Sequence, residues 1–294
     1  MSIKFKEVSY TYSPKTPYQY QALKDITIEI VEQKIVAIIG ETGSGKSTMI
    51  QHINGLLVPM AGSVAINDFI IKANQKKIRD IKKIRKQIGL VFQFPEYQLF
   101  EETIERDIMF GPVNFGEKKD KARELAKKYI NLVGLDETYL SRSPFDLSGG
   151  QKRRVAIAGI LALQGHTLIL DEPTAGLDPD GEKELINFLY DLNHKENKTI
   201  ILVTHNMNHV LMVADEVIVL HNTQIYKKAD PITIFRDKKL ITETGIEPPK
   251  IYSFLYKLEA AGFDTSKITA RSDSELIDQL SKILSKKIAI KSKE

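Results

Sequence analysis

The chain has 294 residues, 42% of them hydrophobic, enough for one large α/β domain with a small appendage or for two modest domains. It contains no cysteine, which excludes disulfides and thiolate metal sites and fits a cytosolic protein. A net charge of +4, from 42 basic and 38 acidic residues, is too small an excess to point to nucleic acid, and no nucleic-acid partner is expected.

The N-terminal "MSIKFKEVSYTY" alternates and is charged, with no apolar run of the kind a cleaved secretion signal needs. It reads as a strand, and "ALKDITIEI" as a second one. "KIVAIIG" is a β-branched apolar run ending at glycine, the pattern of a buried central strand feeding a loop.

That loop is "GETGSGKST" (40–48), a match to G-x-x-x-x-G-K-[ST] in the strand-to-helix context the motif requires. Gly40, Gly43 and Gly45 let the backbone turn so that N–H groups along Glu41, Thr42, Ser44 and Thr48 can meet phosphate oxygens. The helix start near Lys46 adds its positive end. Lys46 is the point charge for the β- and γ-phosphates, and the Ser47 hydroxyl is a Mg²⁺ ligand. "KSTMIQHINGLL" then has helical spacing, with Met49, Ile50, Ile53, Leu56 and Leu57 on one apolar face.

"IKANQKKIRDIKKIRKQIGLVFQ" sets Ile78, Ile81, Ile84 and Ile88 on one side of a basic helix. A solvated amphipathic element is the plain reading, and contact with anionic headgroups the alternative. Gln93, after a short apolar run, can bridge Mg²⁺ or an attacking water and a moving loop. From 116 to 163 the pattern is helical, interrupted by "DLSGGQKRR" (146–154), a second serine-glycine helix start suited to an anion.

"HTLILDEPT" is an apolar strand that delivers Asp171 and Glu172 to the end of a sheet, where ligands bind in open α/β folds. Adjacent residues on an extended chain point in different directions. Asp171 therefore suits the Mg²⁺ coordination shell, and Glu172 can poise a water for in-line attack. After the helical "PDGEKELINFLYDLNHKEN" comes the strand "KTIILVTHN", which ends with His205 in reach of a γ-phosphate. "DEVIVLHNTQIYKKAD" returns to strand-turn-strand.

No apolar stretch, including "AIAGILAL" (156–163) and "VIVL" (217–220), approaches the roughly 20 residues of a spanning helix. "GIEPPK" (245–250) is the best boundary, dividing 1–244 from a small helical tail, 245–294. In the tail Ser272 and Glu275 form a capping-box pattern. Leu276, Ile277, Leu280, Ile283 and Leu284 share a face, and Lys286 and Lys287 suit a helix C-terminus. That face must pack on the parent domain or on a partner subunit.

The P-loop, Gln93, "LSGGQ", "LILDEPT", "AGLD" and "TH", in this order, resemble the ATP-binding cassette (ABC) ATPases across residues 1 to 240. The resemblance implies an α/β P-loop NTPase fold: a mostly parallel core sheet, an antiparallel β subdomain and a helical signature subdomain, here with the C-terminal helical extension. It implies ATP and Mg²⁺, the cation held by Ser47, Gln93 and Asp171, and catalysis by Lys46, Gln93, Glu172 and His205. It makes Tyr12 the aromatic that stacks on adenine. Two cassettes stack head to tail in that family. Leu147, Ser148, Gly149, Gly150 and Gln151 would then cap the partner's ATP, and Asp178 would lie at the junction.

"FQFPEYQLFEETIERDIMFGP" (92–112), with the tail, is similar to the second of two paired ATPases in energy-coupling factor transporters. This implies a heterodimer with a second ABC ATPase at the cytoplasmic face of a bacterial membrane, peripheral to it. A transmembrane coupling subunit would be met by Tyr97, Leu99 and Phe100, and separate membrane subunits would capture vitamins or other micronutrients. Three rivals remain: the homodimeric ATPase of another ABC importer, a soluble non-transport ABC ATPase, and a nucleotide-sensing module that does not hydrolyse.

Overall fold

In a computed structural model, residues 2–291 are described, with side-chain surroundings through residue 283. Among the described residues ten strands form two sheets. Four of them, β1 (Ser2–Tyr12), β2 (Tyr20–Val31), β4 (Ala61–Ile66) and β5 (Phe69–Lys72), make an antiparallel sheet in the order β2-β1-β4-β5. The alternation of β1 slips once. Ile3, Phe5 and Val8 are all buried, and the odd interval is absorbed at Glu7, whose φ of 51° marks a bulge against both neighbours.

The other six are β3 (Ile35–Ile39), β6 (Ile88–Val91), β7 (Thr167–Asp171), β8 (Thr199–Val203), β9 (Glu216–His221) and β10 (Gln224–Ala229). Their order is β10-β9-β3-β8-β7-β6, parallel throughout except for the β9–β10 pair. β3 and β8 are buried at every position, as a strand covered on both faces by other layers must be. One face meets the antiparallel sheet and α1 (Lys46–Ile53) through Val36, Ile38, Ile169 and Ile201. α2 (Ile81–Gln87) precedes the edge strand β6.

On the opposite face a helical layer is built from α3 (Ile104–Asn114), α4 (Lys119–Leu132), α5 (Gly149–Leu161) and α6 (Pro179–Glu196), sharing a core with Leu168, Leu170 and Leu202. A third core joins Ala37, Ile39, Val217 and Val219 to α7 (Met207–Val213), α8 (Pro231–Arg236), α9 (Lys238–Thr244), α10 (Lys250–Ala260) and the start of α11 (Asp273–Lys291). The turn at 245–250 is real: Gly245 ends α9 in left-handed space at φ 64°, and Pro249 caps α10. Yet Phe235 and Leu240 before it and Tyr252, Leu255 and Ile268 after it lie in that one core. The tail therefore packs on the parent domain, while Ile277 of its expected apolar face stays 62% exposed.

Three local expectations give way. α1 ends at Ile53, and Gly55 turns at φ 65°, so Leu56 and Leu57 lie beyond the helix and Leu56 is exposed. The basic segment is helical only over Ile81–Gln87; Ile78 precedes the helix, and Ile88 is a strand residue paired with Thr167. The capping box is half formed, for Ser272 Oγ accepts from Glu275 N while the Glu275 carboxylate takes the N–H of Arg271 instead. Leu284, Lys286 and Lys287 lie outside the residues whose side chains are described. Among the described residues no helix is long and apolar enough to cross a membrane.

Candidate nucleotide site

At the C-terminal ends of the parallel strands, Thr42, Gly43, Gly45, Lys46, Ser47, Thr48, Gln93, Asp171, Glu172 and His205 line one depression, together with Tyr20. Glycine is obligatory at two turns of the loop that forms its floor. Gly40 has φ 149°, and a Cβ there would stand 2.2 Å from the Leu220 carbonyl oxygen. Gly45 has φ 104°, and its Cβ would stand 2.3 Å from that of Ala22. Both glycines hold the loop in contact with neighbouring backbone.

Lys46 Nζ donates to the carbonyls of Gly40 (2.7 Å) and Glu41 (2.8 Å), so the loop holds its own cation in place. Burial pushes its ammonium below the usual lysine value, opposed by the charges of Glu172, Asp171 and Glu41. Ser44 is buried, and its Oγ has no hydrogen-bond partner. Beside it the Ser47 hydroxyl bonds the Asp171 carboxyl, which burial pushes above the usual carboxylate value.

Asp171 is the last residue of β7, and Glu172 is the first beyond it. Glu172 adopts φ 49°, with its N–H donating to Val203 O of the next strand at 2.9 Å. A non-glycine residue held in left-handed space at a strand end is strained. His205 Nδ1 approaches Glu172 Oε2 to 2.8 Å without the alignment of a hydrogen bond. The imidazole is 79% exposed and the carboxylate 15%, so the histidine covers the acid from the open side.

Gln93 is exposed one residue past Phe92, which follows the end of β6. Tyr12 sits beside the depression, its hydroxyl 3.3 Å from Thr48 Oγ1 and its ring edge-on to Tyr10. Tyr20, whose hydroxyl bonds the Gly43 carbonyl, was not legible as a site residue; nothing in "TPYQYQ" distinguishes it from the exposed Tyr18.

The second glycine motif stands apart from this depression. Ser148 caps α5 with a complete capping box: its Oγ accepts from Gln151 N at 3.3 Å, and Gln151 Oε1 accepts from Ser148 N at 3.1 Å. Leu147 is buried, while a Cβ on Gly149 or Gly150 would meet nothing within 4 Å. The helix start is thus rigid, uncluttered and free to receive something. Asp178 caps α6, accepting from Gly181 N at 2.8 Å.

Beyond Gln93, the turn Pro95–Gln98 leaves Tyr97 84% exposed and Phe100 56% exposed, whereas Leu99 is buried in the core rather than at the surface. Phe100 packs edge-on against the exposed Phe110 at 4.8 Å. Sequence reading also missed Arg153, buried and paired with Glu96, because partners 57 residues apart leave no local signal.

The oxygen donors Ser47, Asp171 and Gln93 share one depression with a lysine and a phosphate-shaped loop, a set that fits a hard divalent cation beside a nucleotide.

Residues 23–175 match the family model for the ABC transporter. A protein of Spiroplasma kunkelii named energy-coupling factor transporter ATP-binding protein EcfA2 is 63% identical over 282 residues, covering 96% of this chain and 91% of that protein. Among solved structures, cbiO1 from Clostridium perfringens, part of the ABC transporter complex cbiONQ, aligns with a TM-score of 0.71 and 35% identity over 86% of this chain and 98% of that one. The ATP-binding cassette MJ0796, a dimer in a post-hydrolysis state bound to ADP and Pi, aligns with a TM-score of 0.68 and 29% identity over 78% and 98%.

Proposed function

The chain belongs to the ABC transporter family of ATPases, and from that premise we propose that it is the second ATP-binding subunit of an energy-coupling factor importer. It binds ATP and hydrolyses it to ADP and phosphate, and the hydrolysis drives transport. The cargo class is vitamins or other micronutrients, captured by separate membrane subunits. The working unit pairs this chain with a second, similar ATPase on the cytoplasmic face of a transmembrane coupling subunit.

In this reading Lys46 Nζ leaves the carbonyls of Gly40 and Glu41 and turns to the β- and γ-phosphates. The loop N–H groups and the start of α1 hold the remaining phosphate oxygens. Tyr12 stacks on the adenine. Ser47, Asp171 and Gln93 would hold Mg²⁺, which when bound offsets the charge of the β- and γ-phosphate oxygens. Glu172 accepts the proton of a water placed in line with the γ-phosphorus, and that water's oxygen forms the new P–O bond as the bridge to ADP breaks. His205, beside Glu172 and open to solvent, donates to a γ-phosphate oxygen and fixes the carboxylate's direction.

The observation that most supports pairing is the start of α5. Behind the capped Ser148, Gly149 and Gly150 present uncluttered backbone away from their own chain's depression, which suits a partner's γ-phosphate. Asp178 lies at the junction. The C-terminal extension, 245–294, supports the pairing with its exposed side, where Ile277 is uncovered. Tyr97, Phe100 and Phe110 form the contact with the membrane subunit.

The test is co-isolation from detergent-solubilised host membranes through a tag on this chain, with bound proteins identified by mass. A second cassette ATPase with an integral membrane subunit is expected. A preparation that pairs only with itself and stays free of membrane proteins would refute the importer reading.

A further inference from the structure

Arg153 lies five residues into α5 from its cap Ser148 and is 3% exposed. Its guanidinium donates four hydrogen bonds. Nε and Nη2 donate to the two carboxylate oxygens of Glu96 at 3.1 and 2.8 Å, a bidentate pair on the turn Pro95–Gln98. Nη1 donates to Pro173 O at 2.7 Å, and Nη2 also to Ala175 O at 2.9 Å. Ala175 N in turn donates to the carbonyl of Glu172 at 3.2 Å. One planar group therefore touches the signature helix, the turn that exposes Tyr97, and the loop that follows the catalytic carboxylate. Its neighbour Arg154 points elsewhere, to Val133 O and Glu184.

A buried pair of this kind contributes little net stability compared with apolar residues of the same size, because desolvation offsets the attraction. What it supplies is geometry. A planar fork can join a carboxylate to two carbonyls at fixed angles, which an ammonium cannot do. The two acceptor segments have no other side-chain link to α5 as short as this among the described residues.

We propose that Arg153 is a positioning residue that ties the signature helix to the Pro95–Phe100 surface, so that seating of Ser148–Gln151 on a partner's nucleotide is passed to the face that meets the membrane subunit. This rests on the paired-cassette reading above. When α5 moves, Glu96 and the turn that carries it move with it. The loop at 173–175 holds the backbone of Glu172 in register with the same motion.

The experiment is hydrogen exchange by mass spectrometry on the tag-isolated complex, with and without MgATP, read at peptides covering 148–152 and 94–100 of this chain. ATP is expected to slow exchange at both in the wild type, by about tenfold for elements that open locally. Arg153→Met combined with Glu96→Gln removes both charges together, so no buried ion is left unpaired and the fold is kept. Slowing at 148–152 should then persist while slowing at 94–100 drops below about twofold. In the same variant kcat for ATP should fall about 2- to 30-fold with little change in KM, the range for one link in a coupling network. Arg153→Lys, which keeps the charge on Glu96 but loses the fork, should give a smaller loss at 94–100.

Full ATP-induced slowing at 94–100 in both variants would overturn the proposal. A wild-type complex with no ATP response at 148–152 would instead sink the paired-site reading, and this inference with it; the two failures are read from different peptides.

Discussion

Glu172 carries the residue-scale argument, because strain and position coincide there. Its backbone is held in left-handed space at the end of β7, and its side chain lies mostly buried under His205. Glu172→Gln keeps the shape and removes the base, so turnover in the assembled complex should fall about 10²–10⁴-fold while ATP binding is retained. Near wild-type phosphate release by that variant would remove Glu172 from the mechanism. The loop makes a second prediction. Gly45→Ala places a methyl 2.3 Å from Ala22 O at a φ of 104°. Stability should drop by ~1–3 kcal/mol, and ATP affinity with it, as measured by thermal melting with and without nucleotide. These residues were legible because each motif is local: a glycine needed for its turn, a lysine and a serine beside it, two acids at the end of an apolar run. Tyr20 and Arg153 were not, since what gives them their place is a fold contact made across 23 and 57 residues.

Elements tell a similar story with different causes. β3, β7 and β8 were plain as apolar runs, for a strand covered on both faces has few polar positions to confuse the pattern. The basic segment misled because Ile78, Ile81, Ile84 and Ile88 fit a helix, whereas pairing with β7 takes Ile88 into the sheet. α1 holds a titratable group in its core. His52 is fully buried, its Nδ1 donates to Thr48 O, and burial holds its imidazole below the ordinary value. The unfolded chain thus binds that proton at higher pH than the folded one. The associated stability is complete above the unfolded value of about 6.5 and is lost as pH falls toward the folded one. Thermal midpoints should therefore drop as pH falls from about 7 to about 5.5, and His52→Leu should flatten that slope, with the half-buried His209 acting in the same direction. α10 offers a packing test. Leu255 is 1% exposed in the core shared with Ile39 and Val219, so Leu255→Ala should cost about 2–5 kcal/mol in a denaturant titration. A loss near zero would mean that the extension is not part of the domain's core.

At the scale of the whole molecule, the parallel sheet gathers the phosphate loop, Asp171, Glu172 and His205 at one end of its strands, while α5 carries the signature start away from them. Two phosphate-suited places in one chain make sense if each serves a different nucleotide. That is the central claim, and vanadate trapping tests it directly. Orthovanadate with ADP occupies the γ-phosphate position, and irradiation cuts the backbone beside it. In the tag-isolated complex this chain should be cut at two places, within 43–48 by its own trapped vanadate and within 148–151 by the partner's. Cutting confined to 43–48 would contradict the account.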